Sequence, residues 1–247
     1  MTPDPTTRFT AKAEDYLRYR PSYPRGVMPL LERECGLTPA ARVADIGSGT
    51  GIFSRLLLDY GCEVYGVEPN AAMRQAGERL LAGERRFHSV DGRAEATSLP
   101  SAAFDFVTAG QAFHWFEPQA ARREFQRILK PGGWVVLVWN ERLLTPGFHA
   151  EYDALVLRHG ADRPSVERKL VQGFFGPDPW KLARLPNAQD VNWEQLEGRL
   201  RSSSYAPSPG APEYQPMMDD LARLFQEYQR DGLIHMQYET RVFYGRI

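Results

Sequence analysis

Four segments of the chain, residues 43–46, 64–67, 104–109 and 134–139, are nearly unbroken runs of apolar and β-branched residues bounded by charge, glycine or proline. Runs of that length and punctuation predict buried strands. Between the first two, Phe53, Leu56, Leu57 and Tyr60 recur at helical spacing, and Gly61 stands where a left-handed helix stop belongs. Asn70 is placed to cap a second helix carried by Met73, Ala76, Leu80 and Leu81. Pro118 opens a third, which the Lys-Pro-Gly-Gly of residues 130–133 is expected to close. Parallel neighbours need crossover connections, so the alternation predicts an α/β fold whose mainly parallel sheet carries helices on both faces.

The flanks follow a different pattern. Residues 10–20 read as a short helix, 20–24 as a turn, and 26–35 as another helix ending at Gly36. After the strands, residues 141–179 read as helical and irregular, and residues 202–212 are dense in turn formers. Met217, Met218, Leu221, Leu224, Phe225 and Tyr228 then mark an amphipathic helix suited to the core or to a dimer face, and residues 235–247 close the chain as a strand.

Composition narrows the functional classes. With 247 residues, 43% of them hydrophobic, the chain can bury a substantial core. Its formal net charge of −1 provides no overall basic field, so neither nucleic acid nor a membrane surface is the expected partner. Only Cys35 and Cys62 are present, which fits a reducing compartment, and no segment reads as a secretory leader or membrane span; a cytoplasmic location is expected. His88, His149, His159 and His235 form no metal-ligand spacing with one another or with the cysteines, so no metal is expected. Oligomeric state stays open.

The candidate chemistry sits after the first strand, where Gly47, Gly49 and Gly51 lie between Asp45 and Glu68. A loop running from a strand end into a helix offers unpaired N–H groups and the positive end of the helix dipole. A pyrophosphate-binding turn spaces its glycines G-x-G-x-x-G, but here the third position is Ile52. Asp45 also opposes a diphosphate, since a carboxylate about 5 Å from a phosphate charge costs roughly 3 kcal/mol at an effective dielectric of 20. S-adenosylmethionine suits the pattern better: its ammonium can meet Asp45 directly or through water, and its carboxylate can take backbone donors or an arginine. Glu68, ending the second strand, can accept from both ribose hydroxyls, a feature that alone does not separate this cofactor from NAD.

The segments VADIGSGTGIFSRLL, VYGVEPN, GRAEATSLP, FDFVTAGQAFHWF and LKPGGWVVLVWN together resemble the class I S-adenosylmethionine-dependent methyltransferases across residues 42–140. Phe9, Ala13, Tyr16, Arg20, Pro21, Tyr23 and Pro24, with His114–Phe116, are similar to a small-molecule branch that includes trans-aconitate-methyltransferase-like proteins. The resemblance implies a Rossmann-like seven-stranded, mostly parallel sheet whose last strand is antiparallel, with cofactor and acceptor over the carboxyl ends of the strands. It implies one domain: residues 1–40 a helical clasp, 41–140 the cofactor-binding core, 141–212 a lid and acceptor region, and 213–247 a final helix and strand. Asp45, Gly47, Ser48, Gly49 and Gly51 would surround the methionine moiety, Glu68 would hold the ribose, and Pro69 and Met73 would pack on the adenine. Arg93, Ala94 and Glu95 occupy the adenine-edge loop; Arg93 cannot accept from the adenine amine, which leaves the Ala94 backbone or Asp91. Gln111 would face the methionine side, while Tyr16 and Arg20 would fold down as the clasp, Arg20 toward the cofactor carboxylate.

Methyl transfer from a sulfonium is an in-line displacement that asks chiefly for positioning and exclusion of water. Tyr16, Tyr19, Tyr23 and Trp115 are candidates to stabilise the sulfonium or contact the acceptor, although Tyr19 and Tyr23 fit hinge packing as well. His114 is the candidate general base, or else a residue that shapes the pocket; a carboxylate acceptor needs no base, whereas a hydroxyl or amine does. Arg20, Arg199 and Arg201 can bind an acid or lie as surface charges. The expected function is methyl transfer to a small organic acceptor, a carboxylic acid by resemblance. The rivals are a nonenzymatic S-adenosyl-ligand-binding module and an NAD-dependent oxidoreductase.

Overall fold

A computed structural model describes residues 13–159, 168–203, 206–207 and 209–247. Phe9 and parts of the expected N-terminal helix, of the 141–179 region and of the 202–212 turn lie outside the described residues. Helices α1 (Ala13–Tyr19) and α2 (Val27–Cys35) precede β1 (Arg42–Ile46), α3 (Ile52–Tyr60), β2 (Glu63–Val67), α4 (Ala71–Leu80), β3 (Phe87–Val90) and β4 (Phe104–Gly110). After a 3-10 turn, Phe113–Trp115, come α5 (Pro118–Ile128), β5 (Leu129–Arg142), α6 (Phe148–His159), α7 (Arg168–Phe175), β6 (Trp180–Val191), α8 (Trp193–Arg201), α9 (Tyr214–Tyr228) and β7 (Ile234–Gly245).

The strands form one seven-stranded sheet in the order β3-β2-β1-β4-β5-β7-β6. β1 through β5 pair in parallel, and β7 runs antiparallel to both β5 and β6. Along β5, Val135, Leu137 and Trp139 join a core with Phe125 and Ile128 of α5 and Phe174 of α7, whereas Val136 and Val138 join Leu31 of α2 and Leu57 of α3. This period of two buries both faces, which is why the strand reads as a continuous apolar run. A third core gathers α6, α8 and α9 against the start of β7, and the Met217–Phe225 stripe belongs to it.

The helix boundaries follow their caps. Asn70 accepts from the Met73 amide at 3.0 Å, and Glu117 caps the Pro118 helix by accepting from the amides of Gln119 and Ala120. The expected helix-closing role of residues 130–133 is corrected: α5 stops at Ile128, and the Pro-Gly-Gly segment lies within β5. The β4–β5 register shifts between Phe104, opposite Leu129, and Phe106, opposite Trp134, so residues 130–133 form the irregularity. β3, β6 and α8 were absent from the hydrophobic reading. Among the described residues no helix is long and apolar enough to cross a membrane, and both cysteines are buried free thiols.

Candidate active site

The carboxyl end of β1 is built around a buried charge. Asp45 is fully buried; its Oδ2 accepts from the Ser54 hydroxyl at 2.6 Å and its Oδ1 from the Thr108 hydroxyl at 3.0 Å. Thr108 is Asp45's register partner on β4, and Ser54 sits in the first turn of α3, so secondary structure itself supplies both donors. No cation of the described residues pairs with this carboxylate, and burial pushes its pKa up to about 6.

The loop that follows folds back beneath β2. Gly47 and Ser48 both donate to the Val67 carbonyl, at 2.8 and 3.1 Å, and Gly47, Gly49 and Gly51 all take positive φ. A Cβ on Gly47 would stand 2.5 Å from the Ala112 Cβ, so the loop has no room for a side chain there. Glu68 closes the cradle: Oε2 accepts from the Gly49 amide at 3.0 Å and Oε1 from the Asn70 amide at 2.8 Å. Burial raises its pKa while those donors oppose the rise. Each carboxylate oxygen retains accepting capacity for a ligand hydroxyl.

Over these strand ends lies a cavity of ≈ 240 Å³, with a second of ≈ 40 Å³ sharing part of its wall. Tyr16, Arg20, Gly47, Gly49 and Gln111 line both; Asp45, Ser48 and Tyr23 line the smaller. Glu68, Pro69, Met73, Arg93, Ala94 and Glu95 line the larger, as do His114 and Trp115. The Arg93–Ala96 backbone bridge sets the loop of residues 93–96, and Glu95 holds it to the head of α5 by accepting from the Glu117 amide at 2.8 Å. The His114 ring lies 4.5 Å from that of Trp115 and 4.8 Å from that of Trp139, between centroids. Tyr23 packs edge-on to Phe53 at 4.8 Å, and burial holds its phenol neutral.

Three sequence candidates fall elsewhere. Gly51 caps α3 and faces α4, where a Cβ would come 2.9 Å from Leu81; it lines neither cavity. Tyr19 lies under α8, its hydroxyl donating to Glu194 at 3.0 Å, and it too lines neither cavity. Asp91 is exposed, paired with Arg74 at 3.2 Å, and lines neither cavity, whereas Ala94 lines the larger one. The larger cavity also includes Trp139, Asn140, Glu141 and Arg142 from the carboxyl end of β5, and Tyr238 from β7. The polar Asn-Glu-Arg directly after a buried strand is the sequence signal for them, because ligands gather at that end of an α/β sheet.

Residues 44–137 match a methyltransferase domain. With the 3-2-1-4-5-7-6 sheet and its reversed β7, this settles the class of activity. The chain is an S-adenosylmethionine-dependent methyltransferase. The domain match decides against the NAD-dependent alternative. The methyltransferase is 28% identical over 245 residues to an uncharacterized methyltransferase-like protein of Schizosaccharomyces pombe, covering 95% of this chain and 93% of that one. It is 35% identical over 159 residues to an uncharacterized methyltransferase of Mycobacterium bovis, covering 64% of this chain and 62% of the relative, which is less than two thirds of the relative's length. A type II methyltransferase candidate from Anaeromyxobacter dehalogenans shares the fold with a TM-score of 0.68 at 24% identity, over 92% of this chain and 98% of that one.

The cavity walls carry polar groups that suit this cofactor. Arg20 Nε, Gln111 Oε1 and Thr50 Oγ1 are buried without a partner among the described residues. Gln111 is held at φ +57, with its amide on the Val138 carbonyl at 2.9 Å, a conformation uncommon for a side-chain-bearing residue. Arg20 stacks 4.8 Å from the Tyr16 ring and donates through Nη2 to the Ser202 carbonyl at 3.1 Å.

Proposed function

We propose that the methyltransferase carries the methyl group of S-adenosylmethionine to a small organic acid, as in the trans-aconitate-methyltransferase-like branch. When bound, the cofactor supplies an electrophilic methyl group on a sulfonium. In this reading Asp45 attracts the cofactor's ammonium across the ≈ 40 Å³ space, which admits a group of water size. Arg20 holds its carboxylate, Glu68 its ribose, and Pro69, Met73 and the Ala94 backbone its adenine. Gly47, Ser48, Gly49 and Gln111 border the methionine part, and the Tyr16 ring shields it from water.

The observation that carries the reading is that one cavity runs from Gly49 and Glu68, at the ends of β1 and β2, to Trp139 and Arg142, at the end of β5. β1 and β5 are two strand spacings apart, about 10 Å, so donor and acceptor can share one chamber. Elements from α1 through β7 contribute walls to the chamber, whose ≈ 240 Å³ favours a small acceptor. His114, Trp115 and Trp139 form its aromatic side, and Tyr23 backs the smaller space. A carboxylate already holds the attacking electron pair, so His114 acts here as a positioning residue, orienting the acceptor instead of taking a proton.

The test is transfer of labelled methyl to a panel of mono-, di- and tricarboxylates, amines, phenols and thiols. The expected product is a carboxyl methyl ester that releases its label as methanol in mild alkali. A product stable to alkali, or transfer to amines or thiols alone, would overturn the acid assignment.

A further inference from the structure

Of the arginines on the chamber wall, one is buried deeply and has no counter-ion among the described residues. Arg199, in the last turn of α8, is 3% exposed and lines the larger cavity. Its Nε donates to the Tyr19 carbonyl at 3.0 Å, Nη2 to Gln189 Oε1, and Nη1 to the Tyr238 hydroxyl and to Met236 Sδ. These acceptors are all neutral, and no carboxylate of the described residues lies within ion-pair distance. Four acceptors for five N–H groups leave one donor unmatched on Nη2.

The neighbouring arginines differ. Arg201, two residues on, is consumed by Asp15 through two hydrogen bonds of 2.6 and 2.9 Å. Arg142 is paired with Asp153 at 3.0 Å. Arg20 also lacks a carboxylate partner among the described residues, and it is already assigned to the cofactor. A guanidinium held out of water with only neutral partners carries a large desolvation penalty, which an arriving anion offsets. The planar fork favours a carboxylate or phosphate for that role.

We infer that Arg199 is the specificity residue of the acceptor pocket, binding a carboxylate of the acceptor beside Tyr238. This deepens the acid reading and rests on it. The carboxylate bound at Arg199 is the anchor, so an acceptor with a second nucleophilic group, such as a dicarboxylate, presents that second group for methylation. The transfer forms the bond between acceptor oxygen and methyl carbon, breaks the methyl–sulfur bond, and leaves the electron pair on sulfur as neutral S-adenosylhomocysteine; no proton moves.

The experiment is calorimetry of the full chain saturated with S-adenosylhomocysteine, titrated with succinate, tricarballylate and benzoate and with succinamide and benzamide as neutral controls. Wild type is expected to bind at least one carboxylate in preference to its amide. Arg199→Gln is expected to weaken that carboxylate 30-fold or more, well beyond any loss of S-adenosylhomocysteine affinity that follows from its missing bond to the Tyr19 carbonyl. Equal carboxylate affinity in wild type and variant would overturn the role of Arg199 and leave the acid reading standing. Wild type that takes up S-adenosylhomocysteine but none of the carboxylates would overturn both. If Arg199→Gln fails to fold, Arg199→Lys, which keeps the charge but loses the fork, is expected to weaken the carboxylate about 5- to 20-fold; unchanged affinity there would overturn the proposal.

Discussion

Asp45 is the residue on which stability and function pull in opposite directions. Its carboxyl has a pKa of about 6 in the folded chain against 3.8 for the free side chain, because full burial outweighs the donors from Ser54 and Thr108. A pKa raised by folding contributes stability below pH 3.8, where both states are protonated, and loses it as pH rises through 6. The shift is worth about 3 kcal/mol, so the cofactor-free protein is expected to become less stable between pH 4 and 7 through this group. Asp45→Asn is expected to raise the melting temperature at pH 8 and to change it little at pH 4; denaturation scans at the two pH values check this. Asp45 and Glu68 were legible in the sequence because their positions at strand ends are fixed by flanking apolar runs. The fates of Gly51, Tyr19 and Asp91 were not, because Leu81, Gly198 and Arg74, which claim them, reach them only through tertiary packing. For Glu68, already holding two amides, Glu68→Ala is expected to weaken cofactor binding roughly 10- to 100-fold, since it would remove the proposed charge-assisted hydrogen bonds to the ribose and slacken the Gly49 loop; fluorescence or calorimetric titration reads the loss.

At the scale of elements, the decisive contact is that of α1 with α8. α1 brings Tyr16 and Arg20 to the chamber, and it is held by Arg201–Asp15, by Arg199 on the Tyr19 carbonyl and by Tyr19 on Glu194. The Tyr19 ring lies flat on Gly198: a Cβ there would come 2.2 Å from the ring. Alanine favours helices over glycine by about 1 kcal/mol, yet Gly198→Ala is expected to lift α1 and raise the Kd for S-adenosylhomocysteine about tenfold while the sheet stays intact. Titration and far-UV circular dichroism of the same sample separate the two effects. This pairing was invisible in the sequence, and α8 itself was faint, because residues 193–201 carry only Trp193, Leu196 and Leu200 as a short apolar stripe. β3 and β6 escaped for a related reason. They are the two edges of the sheet, β3 only four residues long and β6 alternating half-buried and exposed positions around Pro186, so neither shows the apolar run of an internal strand.

For the molecule as a whole, the parallel half of the sheet and its helices on both faces follow directly from hydrophobic periodicity, and the reversed last strand was implied by resemblance. The third core follows from neither, since it joins α6, α8 and α9 across long sequence separations. That core fixes the far wall of the chamber, so the end proposed for the acceptor was the part least legible in the sequence. The other end depends on local strand-turn-helix geometry, and most of the residues the sequence offers for the cofactor line one of the two cavities. The central proposal lies there: Asp45, buried with no cation of the described residues beside it, holds the protonated amine of the cofactor. The most direct measurement is calorimetric titration of S-adenosylhomocysteine into wild type and Asp45→Asn from pH 5 to 8. The expected result is one saturable site whose affinity falls as pH drops through 6, with that dependence lost and affinity at pH 8 reduced about 10- to 100-fold in the variant; equal, pH-independent binding by both proteins would contradict it.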